Sequence, residues 1–285
     1  MSTAENSTST LSPGEAFAQA FAKDGRNAAV HFDFTITDAF KPTQDRPRLT
    51  VRNLFKKRIV QDDVTRFWRE TRPTKDDAKA VNEAGLRQEA AFKFGMGEGR
   101  VHPINGWVQI PEELLDDPEA LAVFIDYRLL VRLATAENQA LTLGPNGLLN
   151  HPGVTRLAYN GSYVSGIMAA CNEIEQNGAT AHAMIVNPYD YYNHMVGKGL
   201  LEDLARNGTL ITRTRMLAAG SALVGDFAVA ARLLDASKSV IKVAEPPPGT
   251  FAKPGIAVCA EIYEGLAVHL PTHFFHAVPA ISVGA

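Results

Sequence analysis

His269, His273 and His276 form the only histidine cluster in the sequence. The first two are four residues apart, a spacing that brings two imidazoles to one face of a helix, as zinc sites use. Pro271 lies between them, and a proline inside a helix removes a hydrogen bond and clashes with the preceding turn. In a strand, His269 and His273 share one face and His276 takes the other. The cluster is therefore read as structural, with no metal or cofactor assigned. A zinc-using α/β enzyme is kept as a competing reading. The other chemical patterns weaken in the same way. GMGEG, Gly95 to Gly99, lacks the Gly-Lys-Ser/Thr of a phosphate loop and opens no helix, so it reads as a turn at a strand end. Ser162 and Ser165 stand outside any G-x-S-x-G elbow, and Ser162 reads as a helix cap. Glu112, Glu113, Asp116 and Asp117 sit at a helix start, where the dipole favours acids. Lys56-Lys57-Arg58 is basic but short, with Phe55 its one aromatic neighbour, which is thin support for a nucleic-acid surface. No catalytic constellation emerges, and the chain reads as a non-enzyme.

Composition narrows the partners. A net charge of −3 over 285 residues gives no bulk attraction to nucleic acid or membrane. Cys171 falls on the apolar face of a helix-like segment and Cys259 in a strand-like one, so both read as buried thiols rather than a disulfide or metal pair. The N-terminus lacks the basic-then-apolar pattern of a secretory signal, and no apolar run approaches the ~18 residues needed to span a bilayer. The expectation is a soluble, cytoplasmic protein that makes no membrane contact.

The elements come in a distinctive order. Residues 1–11 are rich in Ser and Thr and are expected to be disordered. Pro13 to Lys23 suits a short amphipathic helix with Phe17 and Phe21 one turn apart, too short to stand without docking. From Asn27 to Val51, Val30, Phe32, Phe34 and Ile36 alternate, giving either an extended arm across a neighbour or an edge strand plus loop. Val51 to Val60 reads as a turn or short helix. Strand-like runs at Asp63–Arg69 and Gln88–Gly95 flank a long polar segment, a projecting loop or ribbon of the kind that is usually functional. A further strand, Arg100 to Ile110, leads to the longest helical run, Pro118 to Leu141.

That run is about 36 Å long at 1.5 Å per residue. Asp117 caps it, Pro118 and Glu119 suit its first turn, and Gly144, Pro145 and Gly147 stop it. Leu121, Phe124, Ile125, Leu129 and Leu133 form a stripe that Val123, Tyr127, Leu130, Val131 and Ala134 widen, so the rod is expected to pack on more than one side. Taken alone it reads better as one long helix of an ordinary bundle. Arg128 and Arg132 stand inside the wide side. Beyond it the texture alternates. A helix at Ser162–Gln176 has Val164, Ile167, Met168, Cys171 and Ile174 on one face. Strands follow at Thr180–Asn187, Thr209–Arg215 and Ala222–Phe227, then a short helix at Ala228–Leu234. Lys238–Ala244, Ile256–Ile262 and Leu266–Val278 are the last strands.

This order resembles the major capsid protein fold of tailed phages, which the encapsulins share. Val81-Asn82-Glu83-Ala84-Gly85 resembles an element between the two strands of that family's projecting loop. Trp107 to Asp117 resembles the strand leading into its spine helix, and Phe124-Ile125-Asp126 with Glu137 resembles the helix itself. Gly147-Leu148-Leu149-Asn150 with Gly153-Val154, Val186-Asn187-Pro188, Ala222 to Phe227 and Val268 to Phe275 match further pieces in order, over about 51–278.

The resemblance implies an α+β fold with an N-terminal helix and arm (1–50) and a projecting E-loop (64–100). It implies a peripheral domain (51–63, 101–153 and 235–285) with spine helix 118–141, and an axial domain (154–234). It implies a structural subunit that assembles with itself into an icosahedral shell. Arg72, Lys75, Lys79 and Glu83 become assembly-loop candidates. Phe17 and Phe21 become candidates for a luminal contact with a cargo protein, and Glu202, Arg206 and Asn207 for a pore loop. Fewer than about thirty residues precede the arm, where many phage capsid precursors carry a scaffold-like extension. That favours an encapsulin-like compartment enclosing a cargo enzyme in a bacterial cytoplasm. The alternative is a phage or prophage capsid packaging DNA. Lys75, Lys79 and Lys93 are the lysines placed for a loop crosslink, but no Asn follows Asn207 to receive one.

Overall fold

A computed structural model describes residues 11–32, 51–72, 93–197, 199–244 and 255–280. Helix α1 (Pro13–Asp24) starts with a capping box, in which Ser12 Oγ accepts from the Glu15 amide and Glu15 reaches back to the Ser12 amide. Strand β1 (Ala29–His31) follows. A 3-10 turn (Val51–Leu54) leads into β2 (Lys56–Ile59), then β3 (Val64–Arg72), β4 (Lys93–Arg100) and β5 (His102–Pro111). A single turn, α2 (Glu112–Leu115), precedes α3 (Pro118–Phe124), whose N-terminal amides are taken by Asp117 Oδ1. The helix passes through one π turn (Ile125–Leu129) into α4 (Leu130–Leu143). Next come β6 (Thr155–Tyr159), α5 (Tyr163–Gln176) capped by Ser162, and β7 (Ala183–Val186). Helices α6 (Pro188–Asp190) and α7 (Leu200–Arg206) follow, then β8 (Leu210–Arg213), β9 (Ala222–Gly225) and α8 (Phe227–Ala230). Long β10 (Ala231–Ala244) and β11 (Gly255–Val268) precede β12 (Phe274–Pro279).

The chain divides into two compact units, one of residues 1–48, 103–136 and 237–263, the other of 49–102, 137–236 and 264–285. In the first, β1 pairs antiparallel with the far half of β10, Val30 opposite Ile241. The sheet runs β1-β10-β11-β5. Helix α1 lies on α3 at close range, because Gly14 has no side chain. A Cβ there would run into the Ala122 carbonyl and the Asp126 carboxylate. The Gly14 amide donates instead to Asp126 Oδ1 at 2.7 Å.

The second unit is built on a mixed sheet, β6-β12-β9-β7-β8. Its central strands are buried on both faces, so they read as unbroken apolar runs rather than alternating ones. Ala183, Ile185, Leu223 and Phe274 face a layer holding Val51, Phe55, Leu141, Leu148 and Phe227. Met184, Val186, Val224, Phe275 and Ala277 face α5 through Tyr163, Ile167, Ala170 and Ile174.

Several expectations change. Lys56–Ile59 is a strand, not a turn or helix, paired in parallel with the start of β10. Its side chains are all exposed, so it carries no alternation to read. The helix expected at Ala228–Leu234 stops at Ala230, and Ala231 already begins β10. The last two strands divide at Pro271, later than their hydropathy suggested, because Gly255–Val268 is one strand. Helix α5 is rotated from its expected face, with Met168 exposed and Gly166 and Ala170 buried, since small residues let the helix approach the sheet. On the rod, Val123 and Tyr127 are exposed, as are Arg128 and Arg132. The beginning of the presumed arm is an edge strand of its own chain's sheet, and residues 33–50 lie outside the described ones.

Candidate assembly surface

Strands β3 and β4 pair antiparallel with each other and, among the described residues, form a sheet of two. Their register sorts the side chains onto two faces. Trp68 stands opposite Met96, Glu70 opposite Phe94 and Arg66 opposite Glu98 on one face. Phe67 stands opposite Gly97 and Thr65 opposite Gly99 on the other. The inner face is closed. Phe67 is buried, and a Cβ on Gly97 would come within 2.9 Å of its ring. A Cβ on Gly99 would collide with Leu234 and approach the Leu266 carbonyl to 3.1 Å. GMGEG is thus not a turn but five of the eight residues of β4, with every second residue a glycine so that the ribbon can lie flat on its own chain. The Glu70 amide donates to the His269 carbonyl at 2.9 Å, and His269 Nδ1 meets the Trp68 carbonyl at 3.0 Å. The His269 ring also packs edge-on against Phe67, with centroids 4.8 Å apart.

The outer face is largely exposed. Trp68 is 67% exposed, Phe94 60% and Met96 54%. Around them Glu98 bridges Arg100 at 3.2 Å and Arg66 at 3.6 Å. Scattered exposed apolar residues are ordinary, but an aromatic pair and a methionine grouped on one ribbon face, with a charged fringe, form the composition of a protein contact.

Residues 43–219 match the phage capsid family, more than half of the chain. The chain belongs to the phage capsid family. It is 26% identical over 245 residues to the major capsid protein of Enterobacteria phage HK97, a match covering 79% of this chain and 63% of that protein. The chain thus spans under two thirds of that relative's length. Among solved structures, the virus-like particle from Pyrococcus furiosus superposes with a TM-score of 0.60 at 12% identity, covering 87% of this chain and 99% of that one. Mycobacterium phage Adephagia gives 0.59 at 11%, covering 84% and 92%. The capsid of the native GTA particle gives 0.56 at 16%, covering 82% and 91%. The α+β capsid fold expected from the sequence is therefore the fold of this chain.

Within that family fold, the sequence-selected residues fall in different places. Lys75, Lys79 and Glu83 lie outside the described residues, and Arg72 ends β3 at their margin. Lys93 begins β4. Phe17 is fully buried beneath α1 in its own chain, which leaves Phe21, half-buried, as the member of that pair with any free surface. Glu202, Arg206 and Asn207 are all exposed, on α7 and at its end, with Arg206 3.6 Å from Asp203. The three histidines serve separate purposes. His269 anchors the ribbon, while burial lowers the pKa of His273 and of His276, holding both towards the neutral form. No group of three His, Cys, Asp or Glu side chains suited to a metal occurs among the described residues. The Cys171 thiol is pushed up to about 11 by burial, as suits an inert packing residue.

Sequence reasoning did not single out Trp68, Phe94 or Met96. The signal was there in the strict alternation of Gly95, Gly97 and Gly99 with larger residues, once it is set against Phe67 on the partner strand.

Proposed function

We propose that this chain is the repeating subunit of a closed icosahedral shell, and that the outer face of the β3–β4 ribbon binds a second copy of itself. One observation supports the reading: a capsid-family chain presents Trp68, Met96 and Phe94, each more than half exposed, together on one ribbon face. Covering that face removes apolar surface from water at about 25 cal/mol per Å². We assign 154–234 to an axial domain near the symmetry axes, with Glu202, Arg206 and Asn207 as pore-loop candidates. The stretches 51–63, 101–153 and 235–285 are assigned to a peripheral domain. The shell is an encapsulin-type compartment in the cytoplasm, enclosing a cargo protein. This is supported by the likeness to the Pyrococcus furiosus particle, 99% of whose chain is covered. A DNA-filled phage capsid is the second reading, favoured by the HK97 relative.

Gel filtration and negative-stain imaging of the purified full chain test the shell. Uniform closed particles are expected, and a stable monomer or dimer under native conditions would refute it. The contents then separate the readings, with a co-purifying protein supporting the compartment and nuclease-protected DNA the phage capsid.

A further inference from the structure

Four charged side chains from four distant segments meet inside the second unit. Arg52 comes from the 3-10 turn before β2, Glu137 from α4, Asp235 from β10 and Glu264 from β11. Arg52 Nε lies 3.0 Å from Glu137 Oε1. Its Nη2 lies 2.8 Å from Glu264 Oε1 and 3.6 Å from Asp235 Oδ2. All four are more than nine-tenths buried. Lys57 of β2 closes the rim, half-exposed, with Nζ 2.8 Å from Asp235 Oδ2. Asn138, next to Glu137, accepts the Val51 amide at 2.8 Å.

Charge and hydrogen bonding both come up one proton short. Among the described residues, three carboxylates face one guanidinium and one rim ammonium, an excess of one negative charge where desolvation makes it costly. Glu137 and Glu264 stand side by side on Arg52, yet two ionised carboxylates can only accept and so cannot bond each other. Glu137 Oε2 and Glu264 Oε2 are both buried with no donor among the described residues. We propose that Glu137 and Glu264 hold one proton between them at neutral pH, making the junction a proton-binding site that empties, and loosens, in alkaline solution. The proton supplies the missing donor and neutralises the excess charge in one step. Burial first, then the neighbouring carboxylates, pushes the pKa of Glu137 well above the ordinary carboxyl range. Burial also raises Glu264, against the pull of Arg52. Because all four segments converge on the site, filling or emptying it tightens or slackens the hold on the chain leading into the ribbon.

The sign is fixed by linkage. A glutamate in the unfolded chain loses its proton near its ordinary value of 4.5, while the folded chain keeps this one, so the site's contribution to stability is complete below that pH and falls as pH rises towards the folded value. One extra native proton raises the unfolding constant about tenfold per pH unit. The test is denaturant unfolding of the full chain between about pH 5 and pH 8, with Glu137→Gln and Glu264→Gln beside wild type. Wild type is expected to carry that extra tenfold per unit, and each variant to lose it. Equal slopes in all three overturn the proposal. Infrared spectroscopy of the native protein at neutral pH gives a readout independent of refolding. A protonated-carboxyl band is expected in wild type and its loss in either Gln variant. No band in wild type, or a band that survives both substitutions and so belongs to another acid such as Asp126, overturns it.

Discussion

The ring of Phe67 occupies the space that a side chain on Gly97 would need, with a Cβ there falling 2.9 Å from ring atoms Cε2 and Cζ. This pairing fixes which way the ribbon faces. Gly97→Ala is expected to lift the ribbon from its own chain at a cost of about 1–3 kcal/mol, the usual penalty of overpacking. Hydrogen exchange should show it as faster exchange at the Glu70 amide, whose acceptor is the His269 carbonyl.

Substituting the outward face should separate folding from assembly. Trp68 and Met96 are both more than half exposed, so Trp68→Glu and Met96→Glu should change the subunit's stability by no more than about 0.5 kcal/mol. Particle formation should be lost or sharply reduced, read by light scattering. Intact particles from the double variant would remove the ribbon's outer face from the assembly contacts.

Arg52 is the one buried cation facing Glu137, Asp235 and Glu264 among the described residues. Arg52→Ala leaves Glu137 and Glu264 without their cation, while Asp235 keeps Lys57, and should destabilise the chain by about 3–5 kcal/mol. Arg52→Lys should not restore it fully, because one ammonium cannot reproduce the planar fork that reaches several carboxylates at once. Denaturant midpoints check both.

The docking of α1 rests on a close approach. Gly14→Ala drives a methyl group into the Ala122 carbonyl and Asp126. The expected result is release of α1, seen as early proteolytic cleavage near Phe17 and Phe21 while the rest of the chain resists. Asp126→Ala, which leaves the Gly14 amide without its acceptor, should weaken docking by about 1–3 kcal/mol.

Acid should destabilise the second unit through its histidines. Burial is the first cause lowering the pKa of His151, His273 and His276. A base held neutral in the folded state loses nothing above its ordinary value near 6.5. Below it the unfolded chain takes up protons first, so stability falls with pH. His276→Gln should make the fall between about pH 6.5 and pH 5 shallower.

Local grammar was legible wherever one segment settles its own conformation. Asp117 and Ser162 cap the helices they were expected to cap, and the stop after Leu143 falls at Gly144 and Pro145. The order of parts then indicated the capsid fold. Meaning that depends on a distant partner was not legible. GMGEG looks like a turn until Phe67 is laid across it. Arg52 and Glu264, 212 residues apart, have no spacing that announces a shared cluster. Strand β2 has no buried face, so its existence rests wholly on backbone pairing with β10. Val123 and Tyr127 looked like core because a wide apolar arc on a helix does not say which of its margins will be covered.

The open face of the ribbon also sets a clock on the newly made subunit. Trp68, Phe94 and Met96 stick to any apolar surface they meet, so a free chain is at risk of disordered aggregation until they are covered. Ordered growth and precipitation compete for the same side chains. Yield should therefore depend on how slowly subunits are supplied, with gentle expression giving particles and rapid overproduction giving inclusion bodies from an identical sequence.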